Sequence, residues 1–277
     1  MVAVVPNRYA IFLDIAGRVT EDITGNEFLT TAGVALLPDT IDALRSAIPH
    51  GFPKWSDSNR DAALDAVRLI SGTAVVGLTL RIRKEPVAWK RFWEDARTYQ
   101  QKVSQADRCS AGFLRAANVI KYRLFCECAA RVAGETVRRL GAPTVTDASG
   151  LSAIDLTIVC DSDIQGAENI SVFKDLWTAG ESKLLAQIGL ARYTRSVQLA
   201  TEQQEPLLLL PDHLAGATHA FLAPTGVDRP RAIMADDLRV IQSAYQALLN
   251  VAPPVDTVFN IQHADVFGTA LLGKTTG

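Results

Sequence analysis

Three aspartates stand at places in the chain where a carboxylate can do more than face water. Asp14 follows the run Tyr9 to Leu13 (YAIFL), Asp161 follows Ile154 to Cys160 (IDLTIVC), and Asp212 follows Pro211 in LLLLPDHLAGATHAF. The first two each end an apolar stretch with the length and composition of a buried strand. In open α/β sheets, ligands gather where strands end and neighbouring elements part. The third acid opens a helix in which Leu210, Leu214, Ala217 and Phe221 form one face and Asp212, Ala215, Gly216 and His219 another. Small residues beside Asp212 let that helix come close to a sheet and carry its carboxylate towards the other two. Three hard oxygen donors suit Mg²⁺ or Mn²⁺, which keep several waters and take phosphate oxygens in their remaining positions. Two such ions would activate a water and stabilise the leaving oxygen of a phosphodiester. Each aspartate also has a local role open to it: Asp212 as a complement to the helix dipole, Asp14 as the start of a turn, Asp161 with Asp163 in an Asx-type loop. Their joint placement decides between these readings.

The elements that must supply that placement are legible from periodicity. Tyr9 to Leu13 and Asn26 to Leu37 (NEFLTTAGVALL) read as strands, and the polar Gly17 to Gly25 segment reads as the turn joining them in an antiparallel pair. Short helices are predicted around Ile41 to Ile48 and Ala62 to Ile70, with a third strand from Thr73 to Ile82. From Pro86 to about Leu140 the period changes to that of a helix, and Phe113, Ala117, Ile120, Leu124 and Cys128 form one stripe. Gly141-Ala-Pro143 stops it. Ile154 to Val159 and Tyr193 to Ala200 give two more strands, and helices follow at Pro211 to Leu222 and Leu238 to Leu249. The prediction is one α/β domain over residues 1–227 with five strands and a helical extension over 228–277 packed on it.

Composition narrows the classes of function. The 277 residues are 48% hydrophobic, enough for a large core, and no stretch approaches the ~20 uninterrupted apolar residues of a membrane helix. The N-terminus MVAVVPNRY lacks a secretory pattern, which places the chain in the cytoplasm. Cys109, Cys126, Cys128 and Cys160 form no Cys-x-x-Cys pair and read as reduced, buried thiols; His50, His213, His219 and His263 are too scattered for a histidine-rich metal site. Glycine signatures for dinucleotides, phosphate loops and serine-hydrolase elbows are absent. The net charge of −2 conceals an asymmetry: Arg81 to Arg123 holds eleven basic and four acidic residues. That +7 segment contains Trp89, Phe92, Trp93 and Tyr99, so it reads either as a phosphate-neutralising, base-stacking surface for DNA or RNA, or as a solvated basic face with aromatic core anchors.

The chain resembles domain-of-unknown-function family 3800, bacterial and phage proteins with a ribonuclease H-like fold. FLDIAG at Phe12 to Gly17 is similar to the family's opening Asp-Glu-Ser-Gly strand end, and LLLLPDHLAGATHAF to its closing Leu-x-x-Ala-Asp-x-x-Ala-Gly helix. FPKW at Phe52 to Trp55 and IVCDSD at Ile158 to Asp163 are weaker matches. The resemblance implies a mixed five-stranded sheet of order 3-2-1-4-5 flanked by helices, and a Mg²⁺- or Mn²⁺-dependent nuclease or phosphodiesterase whose metal is held by Asp14, Asp161 and Asp212. It implies a further catalytic glutamate from the long helix, for which Glu127 is the candidate and Glu135 a poorer one. Either glutamate has the alternative of an ordinary helix-face ion pair, Glu127 with Arg123 or Arg131. Lys54 and Trp55 are candidates for touching substrate, and His219, two helical turns beyond Asp212, is a candidate donor to a phosphate or carboxylate. Ile15, Ala16 and Pro211 depart from the family's glutamate, serine and alanine. The alternative function is therefore a catalytically inactive module that binds nucleic acid or a protein.

Overall fold

The computed structural model describes residues 8–105, 115–140, 152–153, 155–161, 190–191, 194–222, 230–251 and 255–258. In chain order the elements are β1 (Arg8–Ala16), β2 (Phe28–Leu36), α1 (Ile41–Ala47), α2 (Arg60–Thr73), β3 (Val76–Arg83), α3 (Pro86–Gln105), α4 (Ala116–Leu140), β4 (Ser152–Ala153), β5 (Asp155–Asp161), β6 (Leu190–Ala191), β7 (Thr194–Ala200), α5 (Leu209–Leu222), α6 (Ala235–Val251) and β8 (Val255–Val258). The main sheet has the order β7-β5-β1-β2-β3-β8, and β4 pairs with β6 separately. Five of these strands follow the predicted order, with β5 and β7 as the fourth and fifth. Only β2 runs antiparallel to its neighbours. The C-terminal segment differs from the helical prediction: after α6 it adds β8 alongside β3 as a sixth strand. Four residues, Val255 to Val258, are too short to show a period, and their Pro253-Pro254 prefix reads as a stop signal.

Covering the sheet on both faces explains why β1 is apolar at nearly every position. Its alternate side chains divide between two cores. Tyr9, Ile11 and Leu13 pack with Trp89, Phe92, Val119 and Phe125 of α3 and α4. Ala10 and Phe12 pack with Leu44 of α1, Ala63 of α2, Leu210 and Leu214 of α5, and Ile241 of α6. The same alternation operates in β5, where Leu156, Ile158 and Cys160 join the first core and Val159 the second. Position by position, Asp14 and Asp161 therefore fall on the α5 side. Asp14 lies inside β1 and not at its end, since the strand runs two residues further.

Local signals account for the helix ends. Asn59 caps α2 by accepting a hydrogen bond from the Ala62 amide at 2.9 Å. Pro211 sits in the first turn of α5, where its missing N–H leaves no intrahelical bond unmade. The β1–β2 connection is fastened by buried Lys84, whose ammonium donates to the carbonyls of Arg18 and Asn26 at 2.7 Å each and lies 5.2 Å from the Trp89 ring centroid. Burial pulls the pKa of Lys84 down to about 8. Cys126, Cys128 and Cys160 are buried, as predicted; Cys109 lies outside the described residues. No helix among the described residues is long and apolar enough to cross a membrane.

Candidate active site

The parallel register of β1 and β5 pairs Leu13 with Cys160, so the next position of each strand, Asp14 and Asp161, falls side by side at the C-terminal edge of the sheet. Helix α5 crosses this face, with Ala215, Ala217 and Ala220 buried against the second core. Small side chains keep its axis low over the strands. Asp212, in the first turn of α5, faces Asp14 closely enough for its charge to act on the Asp14 carboxyl. The Ile15 amide donates to Asp14 at 2.6 Å, and the Trp55 amide to Asp212 at 2.6 Å.

Burial and like charge dominate the electrostatics. Asp14 is buried, and its carboxyl is held well above the usual range by desolvation, then by the charges of Asp212, Asp161 and Glu202, against the opposing Ile15 hydrogen bond. Asp212 keeps some residue surface exposed, but its carboxyl lies deep among protein atoms. Desolvation raises it to about 6, with Glu202 adding to the effect and the Trp55 amide, Lys54 and Asp14 opposing it. Lys54 forms an ion pair with Glu202 and also faces Asp161 and Asp212. Burial draws its pKa down, but these carboxylates outweigh burial and the net shift is upwards.

Glu202 is the acid that the sequence reading missed. It stands two residues past β7, beside the same sheet edge, because β7 runs parallel to β5 with Ala200 opposite Asp161. The signal was present: the strand-end rule that selected Asp14 and Asp161 selects Glu202 when applied to the fifth strand of the predicted order.

Several predicted participants lie elsewhere. Glu127 rides on α4 against the opposite face of the sheet, 4% exposed, and forms an ion pair with Arg131 at 3.1 Å. It is the helix-face pair, not a fourth acid of this cluster. Glu135 pairs with Arg138 and Arg139. Trp55 contributes through its backbone: its ring is buried against Gly216, His213 and Tyr245, which removes it from any substrate surface. His219 is buried on the α5 side, with Nδ1 3.5 Å from Thr30 Oγ1 and its ring edge beside Gly17. Gly17 has φ +91, and a Cβ there would stand 2.8 Å from His219 Cε1, so the turn requires glycine for both conformation and space. Asp163 lies outside the described residues. In the basic segment, Trp89, Phe92 and Trp93 are core side chains of the α3–α4 layer and cannot stack on bases; Arg97 pairs with Glu21 and Lys84 is buried.

The donor chemistry fits a divalent cation. Two carboxyls whose pKa is raised by burial and then by neighbouring carboxylates form a site whose cost in charge a cation would relieve. No group of three or more His, Cys, Asp or Glu side chains among the described residues stands in a metal-holding arrangement. The departure at Ile15 leaves the cluster intact, because alternation directs that side chain into the opposite core. No protein-family model matches the chain, and no curated protein sequence matches it.

Proposed function

We propose that this chain is a divalent-metal-dependent phosphodiester hydrolase acting on nucleic acid, built on a ribonuclease H-like sheet. The observation that carries the reading is the buried pair Asp14 and Asp212, both made less acidic by desolvation, with Asp161 and Glu202 adding negative charge and Lys54 countering it. The strand order β3-β2-β1-β5-β7, with β2 alone reversed, supports the fold assignment. Pairing of each acid with a lysine or arginine would favour the inactive-module alternative instead. Here the two deepest acids lean on each other, and the lysine is held by Glu202.

Asp14, Asp161, Asp212 and Glu202 would hold Mg²⁺ or Mn²⁺. When bound, such an ion would lower the pKa of coordinated water and balance charge on the leaving oxygen. The chain's own contribution is rigidity and charge. β1 and β5 fix two carboxylates on a buried sheet, while the Trp55 amide fixes the third by its hydrogen bond to Asp212. Lys54, half exposed beside Glu202, is placed to offer its ammonium to a phosphate oxygen.

Labelled single- and double-stranded DNA and RNA provide the test. With Mg²⁺ or Mn²⁺ the wild-type protein is expected to cleave at least one of them, and Asp14→Asn is expected to lower the rate at least 10³-fold while remaining folded, an order set by the size of single electrostatic contributions to catalysis. Absence of metal-dependent cleavage on all four substrates would sink the hydrolase reading.

A further inference from the structure

Beside the carboxylates lies a groove of about 830 Å³, within the range of ligand sites in proteins. Its walls come from the end of α1, the 48–54 loop and the 201–206 turn, and it shares Lys54 and Glu202 with the acidic cluster. Ile48, Phe52 and Leu209 give it an apolar floor, and Phe52 keeps part of its surface exposed while its ring tilts against His213 at 5.4 Å. Ser46, His50, Thr201 and Gln203 add donors and acceptors along the walls.

The charge pattern indicates which part of a substrate belongs there. Arg45 lines the groove, but it is held by two carboxylates: Nε and one terminal nitrogen donate to Glu205, the other to Asp42. Its charge is balanced by the Glu205 and Asp42 carboxylates. The groove is thus close to neutral along its length, with a phosphate-binding cation only at the Lys54 end. An aromatic side chain, an apolar floor and neutral hydrogen-bonding groups suit a base and sugar; the ammonium at the end suits the attached phosphate.

We infer that this groove seats the nucleotide next to the scissile phosphate, and that the substrate strand lies here and not along the Arg81 to Arg123 segment. The inference rests on the hydrolase reading for the identity of that phosphate. It replaces the basic segment as the binding surface because α3 and α4 cover the face opposite Asp14 and their aromatics are buried.

The test is fluorescence anisotropy with labelled single-stranded DNA and RNA hexanucleotides of one sequence, in Ca²⁺ to suppress cleavage. Two double variants at exposed positions are compared with wild type: His50→Glu with Gln203→Glu in the groove, and Lys90→Glu with Arg91→Glu on α3. The groove variant is expected to bind the tighter oligonucleotide at least tenfold more weakly, and the α3 variant within about twofold of wild type. The groove inference is overturned if the groove variant binds like wild type, if only the α3 variant loses binding, or if wild type binds neither strand. Cleavage assays separate the two ideas. Metal-dependent cleavage with unaltered KM in the groove variant removes the groove and leaves the hydrolase. Groove-dependent binding without cleavage removes the hydrolase and leaves the groove as a nucleotide-binding site.

Discussion

In EDTA, replacing Asp212 by Asn is expected to stabilise the protein more at neutral pH than in mild acid, by about 2 kcal/mol between pH 4.5 and 7.5. The sign follows from the direction of the shift. Asp212 titrates at about 6 in the folded chain and at 3.8 ordinarily, so between those values the folded state holds a proton that the unfolded state has released. Stability contributed by that proton is complete below the unfolded pKa and is lost as pH rises through the folded one. Asn keeps the acceptor for the Trp55 amide but has no charge to bury, so the variant escapes the loss. Asp14, more strongly raised, acts in the same direction. Urea unfolding of both proteins at the two pH values measures the difference. Mg²⁺ or Mn²⁺ at about a hundred times its dissociation constant should return roughly 3 kcal/mol to wild type at pH 7.5. Parallel pH profiles for wild type and Asp212→Asn would show that burial does not raise this carboxyl.

The second large effect concerns a methyl group. Gly216 lies one helical turn beyond Asp212, and a Cβ there would fall 2.1 Å from Trp55 Cδ1 and 2.3 Å from Cγ. The ring cannot retreat easily, since it is 4% exposed and meets His213 and Tyr245 edge-on. Gly216→Ala is expected to cost about 3 kcal/mol, the upper part of the usual range for overpacking, despite alanine's better helix propensity. Displacing Trp55 also moves the amide that holds Asp212, so metal affinity should fall with stability. Gly72→Ala in α2, where a Cβ meets nothing within 4 Å, serves as the control and should be neutral or slightly stabilising. Denaturant midpoints for the two variants check the contrast; equal behaviour would mean that the Trp55–Gly216 contact is looser than described.

Much of this architecture was readable because burial leaves a period. The runs YAIFL and IDLTIV could hardly be other than strands, and alternation from Phe12 and Val159 assigns Asp14 and Asp161 to one face. Glu127 misled for the same reason that it is interpretable: a helical stripe shows which residues face a sheet, but not which of its two faces that helix covers. Trp55 shows another limit. Its backbone and its ring act at different places, the amide on Asp212 and the indole on Gly216, and residue type alone cannot separate them. β8 eluded the reading because four residues carry no usable period, and its pairing with β3 depends on a partner more than 170 positions earlier, the separation of Leu80 from Val255.

The most direct test of the account is calorimetric titration of Mn²⁺ into the metal-free protein near pH 7.5, repeated with Asp14→Asn, Glu202→Gln and Glu127→Gln. The account predicts that wild type binds Mn²⁺ and releases protons, that Asp14→Asn abolishes binding, that Glu202→Gln weakens it, and that Glu127→Gln, altered on the far face of the sheet, leaves it unchanged. No binding by wild type, or binding that survives Asp14→Asn but not Glu127→Gln, would contradict it.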